Sequence, residues 1–296
     1  MNDLPFDETQ RYEEIRSFIR SMPSLSVTVA KVLEICDLPY TSADKLNKVI
    51  SLDPVLTGQV LRLVNSAYYS LPDKVSSLTK AIILLGINTV KNLALCTATI
   101  SVIGKNKPEH ELLGMDQFFT HSLCVGVTAK ALAGQRGISK LQLEEYFVAG
   151  LLHDLGKIPL IHCCAEEYVR VQETVKEKQC PLQLAETQII GHDHTMVGKM
   201  IAEKWQLPGT MVDSITYHHY PNQAAADKRE LVTIVALADI YANKMKIGAT
   251  GEYFEEPAFE AYILRTLDMA WRDVASLAAE IETELEKARI FLQVPE

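Results

Sequence analysis

The chain has 296 residues, 48% of them hydrophobic, and 29 Lys+Arg against 38 Asp+Glu leave a formal charge of −9. This composition excludes disorder, collagen and low complexity, and it supplies ample apolar material for a core. The sign of the charge argues against bulk electrostatic binding of nucleic acid or anionic membrane, although the span from Gly251 to Glu296 alone holds eleven acids and four bases, −7 of the −9.

The first eight residues, Met1 to Glu8, are acidic and carry no apolar run, so they do not read as a secretory signal. No apolar stretch reaches the roughly 18–20 residues that span a bilayer. Leu78 to Ile103 comes nearest, but Lys80, Asn88, Lys91 and Asn92 interrupt it. The six cysteines, Cys36, Cys96, Cys124, Cys163, Cys164 and Cys180, form no CxxC pair and read as reduced thiols, which makes the cytoplasm the expected compartment.

Apolar residues recur at helical spacing along the chain, which predicts an all-α fold. Asp53-Pro54 is a capping carboxylate before a proline at the first helical position, and Val55 to Val64 follows at three- and four-residue spacing. Asn65-Ser66 and Leu71-Pro72 end that helix. Gly86 divides Leu78–Leu85 from a second apolar helix, Thr89 to Ile103. Leu84 to Val90 superficially suggests a helix-turn-helix but lacks basic residues beyond Lys80 and Lys91, so it reads as an ordinary turn.

The polar stretch Gly104 to Pro108 marks a subdomain boundary, giving an N-terminal helical part (1–108), a middle part (109–250) and a C-terminal acidic helix (251–296). Further helices are expected near Asp116–Ala133, Leu141–Leu152, Pro181–Ile190, Thr195–Trp205, Met211–Tyr217 and Leu231–Lys244. A last helix starts near Pro257, with Leu277, Ile281 and Leu285 on one face and the tail acids on a solvated one.

Five of the eight histidines sit with acids at expected helix ends: His153 beside Asp154, His192 and His194 around Asp193, and the pair His218-His219. In Gly150 to Lys157 an apolar helix delivers an imidazole and a carboxylate side by side, and Gly156 then stops or turns it. Imidazole is a neutral nitrogen ligand and a carboxylate can bridge two cations, so His153-Asp154 suits a metal centre. Lys157 adds a fixed positive charge able to meet a phosphate oxygen. Against these stand blander readings. His121 and Asp239 lie inside helical patterns, His110 and His162 are lone, and His218-His219 could simply cap a helix. Cys163-Cys164 reads as buried thiol, and His192 competes with His194 for one role.

His121, His153-Asp154 and Asp239 together resemble the H…HD…D pattern of the HD superfamily of metal-dependent phosphohydrolases. Lys157, His194 before Val197-Gly198, and His218-His219 further resemble its HD-GYP branch. The segments Ile50 to Pro54, Leu63 to Tyr69, Ala81 to Gly86, Gly198 to Pro208 and Tyr217-His218-His219 are similar to the HDOD domain, the HD-related output domain of bacterial signalling proteins. The resemblance runs from about Met22 to about Lys244.

It implies a multi-helix bundle in which His121, His153, Asp154 and Asp239 hold one divalent metal. His194, His218 and His219 would complete a second, bridged by Asp154, with Lys157 alongside. Iron, manganese and zinc all suit such a donor set. Two departures stand out. Gln117 occupies the position four before His121 where the HD-GYP branch tends to carry a glutamate ligand, and no Gly-Tyr-Pro loop follows His219. The implied function is a signalling output module acting on unidentified signalling proteins through contacts. The alternative is a phosphohydrolase of a nucleotide or phosphodiester, with Asp154 and Lys157 as its catalytic groups, and a single cation could equally serve as a structural staple.

Overall fold

A computed structural model describes residues 8–36, 38, 40–66, 71–105, 114–249, 251–252, 254 and 256–288, and every regular element among them is a helix. The all-α expectation therefore holds. The N-terminal helices are α1 (Glu8–Ser21), α2 (Val27–Cys36), α3 (Ala43–Ile50), α4 (Pro54–Val64), α5 (Leu78–Leu85) and α6 (Ile87–Lys105). Their starts follow side-chain capping: Asp53 Oδ1 accepts the Leu56 amide at 2.9 Å ahead of Pro54, and Ser42 and Ser77 cap α3 and α5.

Asn65 does more than end α4. Its amide donates to the carbonyls of Leu61 (2.8 Å) and Val75 (2.7 Å), and its Oδ1 accepts the Val75 amide at 2.7 Å. One side chain thus ties the chain back onto the helix it has just left, which accounts for Asn65 in the Leu63 to Tyr69 motif; residues 67–70 lie outside the described residues. Gly86, at φ 84°, folds Leu78–Leu85 against Ile87–Cys96 at 103°. No single described helix is long and apolar enough to cross a membrane. The polar stretch read as a boundary begins in the last turn of α6, and 106–113, including His110, lie outside the described residues.

The centre of the fold is built by α7 (Met115–Gln135), α8 (Lys140–Leu152), α9 (Lys157–Cys163), α10 (Ala165–Lys178), α11 (Leu182–Ile190), α12 (His194–Lys204), α13 (Gly209–Tyr217) and α14 (Arg229–Lys244). Helices α7 and α8 cross at glycines, because a Cβ on Gly150 would stand 2.8 Å from Gly126 Cα. Helix α14 lies across both, with Leu231 to Asp239 buried without a break. Helix α1 packs on α9 and α12. There Lys204 Nζ donates to the carbonyls of Ile19 (2.6 Å) and Arg20 (2.9 Å), and Trp205 Nε1 donates to the Pro23 carbonyl at 3.2 Å. A cation on the carbonyl end of α1 is the favourable sense of the helix dipole, and it gives the Lys204-Trp205 motif its physical work.

The C-terminal span departs from expectation. Instead of one helix from Pro257 there are three: α15 (Pro257–Thr266), α16 (Trp271–Ala275) and α17 (Ala278–Ala288). The first break holds Asp268, which takes a left-handed φ of 51°, and Ala270, whose amide donates to Asp273 Oδ2 at 2.8 Å; the second falls at Ser276-Leu277. The expected faces survive the breaks. Leu277, Ile281 and Leu285 are buried as α17 packs on α7, while Glu280, Glu282 and Glu286 face solvent.

Candidate metal centre

The apolar helix α8 ends at Leu152, and His153 caps it with its Nδ1–H directed to the Gly150 carbonyl at 2.7 Å. Asp154 follows in the turn. Lys157 opens α9, and its Nζ lies 2.7 Å from Asp154 Oδ2. Gly156 is not a left-handed stop, since its φ, ψ are −72°, −15°. It is required by proximity: an added Cβ would collide with the His194 carbonyl oxygen and the Gly198 amide, and one on Gly198 would meet Ile215 Cγ2 at 2.5 Å. These two glycines let the start of α12 approach the HD turn and bring His194 beside Asp154.

His121 from the middle of α7 meets Asp239 of α14, Nε2 to Oδ1 at 2.9 Å, and Asn243 one turn on donates to the same oxygen at 2.9 Å. His194 is the first residue of α12, where Asp193 caps the helix by accepting the Met196 amide. Its outer nitrogen Nδ1 lies 2.6 Å from Glu186 Oε2, its own amide also donates there, and Tyr168 OH donates to Glu186 Oε1 at 3.2 Å. His218 caps α13 with Nδ1 3.1 Å from the carbonyls of Ser214 and Ile215. His218 thus closes α13 through Nδ1 and leaves Nε2 facing the cluster.

The inner nitrogens converge. His194 Nε2 stands 3.2 Å from His218 Nε2 and 3.1 Å from His219 Nε2. Asp154 Oδ1 lies 3.4 Å from His194 Nε2 and 3.8 Å from His218 Nε2, while its Oδ2 lies 3.4 Å from His153 Nε2. His153 Nε2 is in turn 3.6 Å from Asp239 Oδ1. The result is two histidine groups, His121/His153/Asp239 and His194/His218/His219, each with donor atoms within 4.8 Å of one another and joined by the single carboxylate of Asp154.

All eight residues singled out in the sequence, His121, His153, Asp154, Lys157, His194, His218, His219 and Asp239, meet here; seven are buried and the His219 side chain is 8% exposed. Sequence reasoning missed four neighbours. Glu186, Tyr168 and Asn243 support first partners, and Glu252 Oε1 receives Lys157 Nζ at 2.9 Å. An acid on the buried face of α11 was the available signal for Glu186. Glu252 offered none, because it lies in the acidic span ahead of the last expected helix, with no motif around it, yet it turns inward.

Gln117 is exposed, and it contributes only its carbonyl, which accepts the Ala249 amide at 3.2 Å. His192 stacks on Tyr12 with centroids 4.9 Å apart and His162 stacks on Phe18 at 4.2 Å, so neither joins the cluster. Cys163 and Cys164 are free thiols outside it, and burial pushes Cys164 up to about 12.

The interior is rich in acid. Asp154 and Glu252 pair with the Lys157 ammonium, Asp239 pairs with His121 and Glu186 pairs with His194. Burial opposes charge on His153, but Asp154 and Asp239 overcome it and raise its pKa to about 9. Burial, reinforced by His153 and His194, pushes His218 down to about 3, and burial with His218 holds His219 well below its usual value. Asp154 is driven low by His153, Lys157 and His194 despite its burial. His153 Nε2 and Asp154 Oδ1 are buried without a hydrogen-bond partner. Histidines pinned at the outer nitrogen by a carbonyl or carboxylate, presenting the inner one to shared carboxylates, are the donor set of a divalent metal, and the residues present fit one.

Comparison with known proteins gives the family and the fold. The model of the HDOD domain family matches residues 22–221. An uncharacterized protein of Treponema pallidum is 24% identical over 238 residues, 80% of this chain and 45% of the relative, so the chain spans about half the length of the curated relative it matches. An HDOD domain protein with unknown function from Geobacter sulfurreducens has a TM-score of 0.76 at 25% identity, covering 97% of this chain and 100% of that one. A candidate phosphohydrolase from Shewanella amazonensis, at 22% identity and a TM-score of 0.70, covers 94% of this chain and 98% of its own and shares the fold. With more than half of its length under one family model, the chain belongs to the HDOD family.

Proposed function

We propose that this chain is a signalling output module that holds one or two divalent ions, drawn from iron, manganese or zinc, and acts on signalling proteins through direct contacts. The observation that carries the metal centre is the pair of buried atoms without a hydrogen-bond partner, His153 Nε2 and Asp154 Oδ1, at the junction of the two histidine groups. In this reading His121, His153 and Asp239 hold one ion, His194, His218 and His219 hold the other, and Asp154 bridges them. Glu186 fixes the tautomer and orientation of His194, and the Ser214 and Ile215 carbonyls do the same for His218. The contact mechanism draws support from exposed apolar side chains in the N-terminal part, among them Leu52, Val55, Ile83 and Leu84. Six free cysteines fit a reducing cytoplasm.

The second reading is a phosphohydrolase of a nucleotide or phosphodiester, favoured by Lys157 beside the bridging carboxylate. Bound cations would polarise a phosphoryl oxygen and activate a water, Asp154 would orient them, and Lys157 would offset charge developing on the phosphate. Two features weigh against it: Lys157 is engaged by two carboxylates, and the cavity beside the centre is only about 60 Å³.

A panel of nucleotides and bis(p-nitrophenyl) phosphate, assayed at full metal occupancy, separates the readings. The module predicts turnover no higher than that of Asp154→Ala. Turnover abolished by Asp154→Ala and Lys157→Gln would replace it with the enzyme.

A further inference from the structure

Lys157 is fully buried, and its ammonium meets two carboxylate oxygens of different origin. Asp154, 2.7 Å away, is fixed by the turn that joins α8 to α9. Glu252, 2.9 Å away, is reached through the connection that leaves α14 at Lys244 and re-enters helix at Pro257. That connection is seated by Gly248, whose φ of 74° and tight approach to the Gln117 carbonyl and His121 amide leave no room for a side chain. The second Glu252 oxygen accepts Asn243 Nδ2 at 2.9 Å, and the first lies 3.9 Å from His219 Nε2. Asp154, His194 and Glu252 each present a donor atom within 4.8 Å of the others.

An ammonium and an amide N–H on one side and a histidine-held cation on the other are what a phosphate-class oxyanion requires: donors for two of its oxygens and a dication facing the rest. In this chain a carboxylate from the same polypeptide already stands there. Resting on the metal-centre reading above, we infer that Glu252 is an internal placeholder for a phosphate-class oxyanion, which binds at Lys157 and the His194/His218/His219 side only when Glu252 leaves. The room it would move through is at hand, since the cavity of about 60 Å³ lined by His219, Asp239, Asn243, Glu252 and Phe254 adjoins it. The function of Glu252 is then to keep anions from the centre while its carboxylate is seated on Lys157.

The placeholder lowers apparent anion affinity in proportion to the fraction of chains in which it is seated. The test is calorimetric titration of inorganic phosphate into wild type, Glu252→Gln and Glu252→Ala, each with its metal content measured before titration. Both variants are expected to keep the wild-type metal content and to bind phosphate about tenfold more tightly or better. Metal-replete variants with unchanged or weaker phosphate affinity overturn the inference and leave the metal-centre reading standing. Loss of metal in both variants also overturns it, since Glu252 would then be a ligand. Wild type that takes up no metal when offered iron, manganese and zinc removes both readings together.

Discussion

At the scale of single residues, the cluster works because inner and outer nitrogens have different jobs. Glu186 touches no candidate cation position, yet it takes both Nδ1 and the backbone amide of His194. Glu186→Gln should therefore weaken metal affinity by about 10–100-fold while leaving the helices intact, as read by chelator competition and circular dichroism. Unchanged affinity would deny Glu186 its orienting role. The metal-free protein also carries a pH signature. His153 is raised to about 9, so its stabilising contribution is complete below its ordinary value of 6.5 and is lost as pH rises through about 9. His218 is lowered to about 3, so the neutral buried ring costs stability as pH falls from 6.5 toward that value. Urea denaturation of metal-free protein below, at and above pH 6.5 should show a maximum near it, and cation binding, which displaces the His153 proton, should remove the alkaline loss. A metal-free stability that climbs steadily with pH contradicts this.

The same residues show what was legible from sequence. His153-Asp154, His194 and His218-His219, at expected helix ends, and His121 and Asp239, inside helical patterns, were legible together because their order along the chain resembles the H…HD…D pattern. Glu252 was not. It is one of several acids in an irregular stretch with no motif, and the backbone path set by Gly248, closed against Gln117 and His121, turns it inward. Gln117 pointed to a missing carboxylate, but one letter of sequence cannot say that a carboxylate more than a hundred positions later stands in the same cluster.

At the scale of elements, the centre depends on how closely helices approach. Asp53-Pro54 and Gly86 were legible because capping and helix breaking are local, and the structure places α4, α5 and α6 accordingly. The glycine contacts were not, since they depend on partners distant in sequence. Gly150→Ala sets a Cβ 2.8 Å from Gly126 Cα and should destabilise by about 1–3 kcal/mol in urea denaturation, through separation of α7 from α8. Gly156→Ala strikes the α12 backbone at His194 and should reduce metal content as well as stability, whereas Gly150→Ala should spare the metal once folded. Equal metal loss in both would place the effect in the fold rather than in the approach of α12 to the HD turn. The three-helix C-terminal span belongs here too: the left-handed Asp268 closes α15, with the Met269 amide donating to the Leu264 carbonyl at 2.9 Å, a stop that helical periodicity from Pro257 does not show.

At the scale of the whole molecule, the charge of −9 conceals two populations of acid. The exposed stripe of Glu280, Glu282 and Glu286 is solvated, whereas Asp154, Asp239, Glu186 and Glu252 are gathered around one lysine and five histidines. A cation in that interior ties α7, α8, α12, α13 and α14 together, so metal binding should stabilise the entire fold, by about 2.7 kcal/mol at a free metal concentration near 100 times Kd. The central claim is that this buried cluster is a metal centre, and elemental analysis of the protein purified without added metal, beside Asp154→Ala, tests it most directly. The account predicts at least one equivalent of iron, manganese or zinc per chain in the wild type and its loss in Asp154→Ala; a substoichiometric content that the substitution leaves unchanged would contradict it.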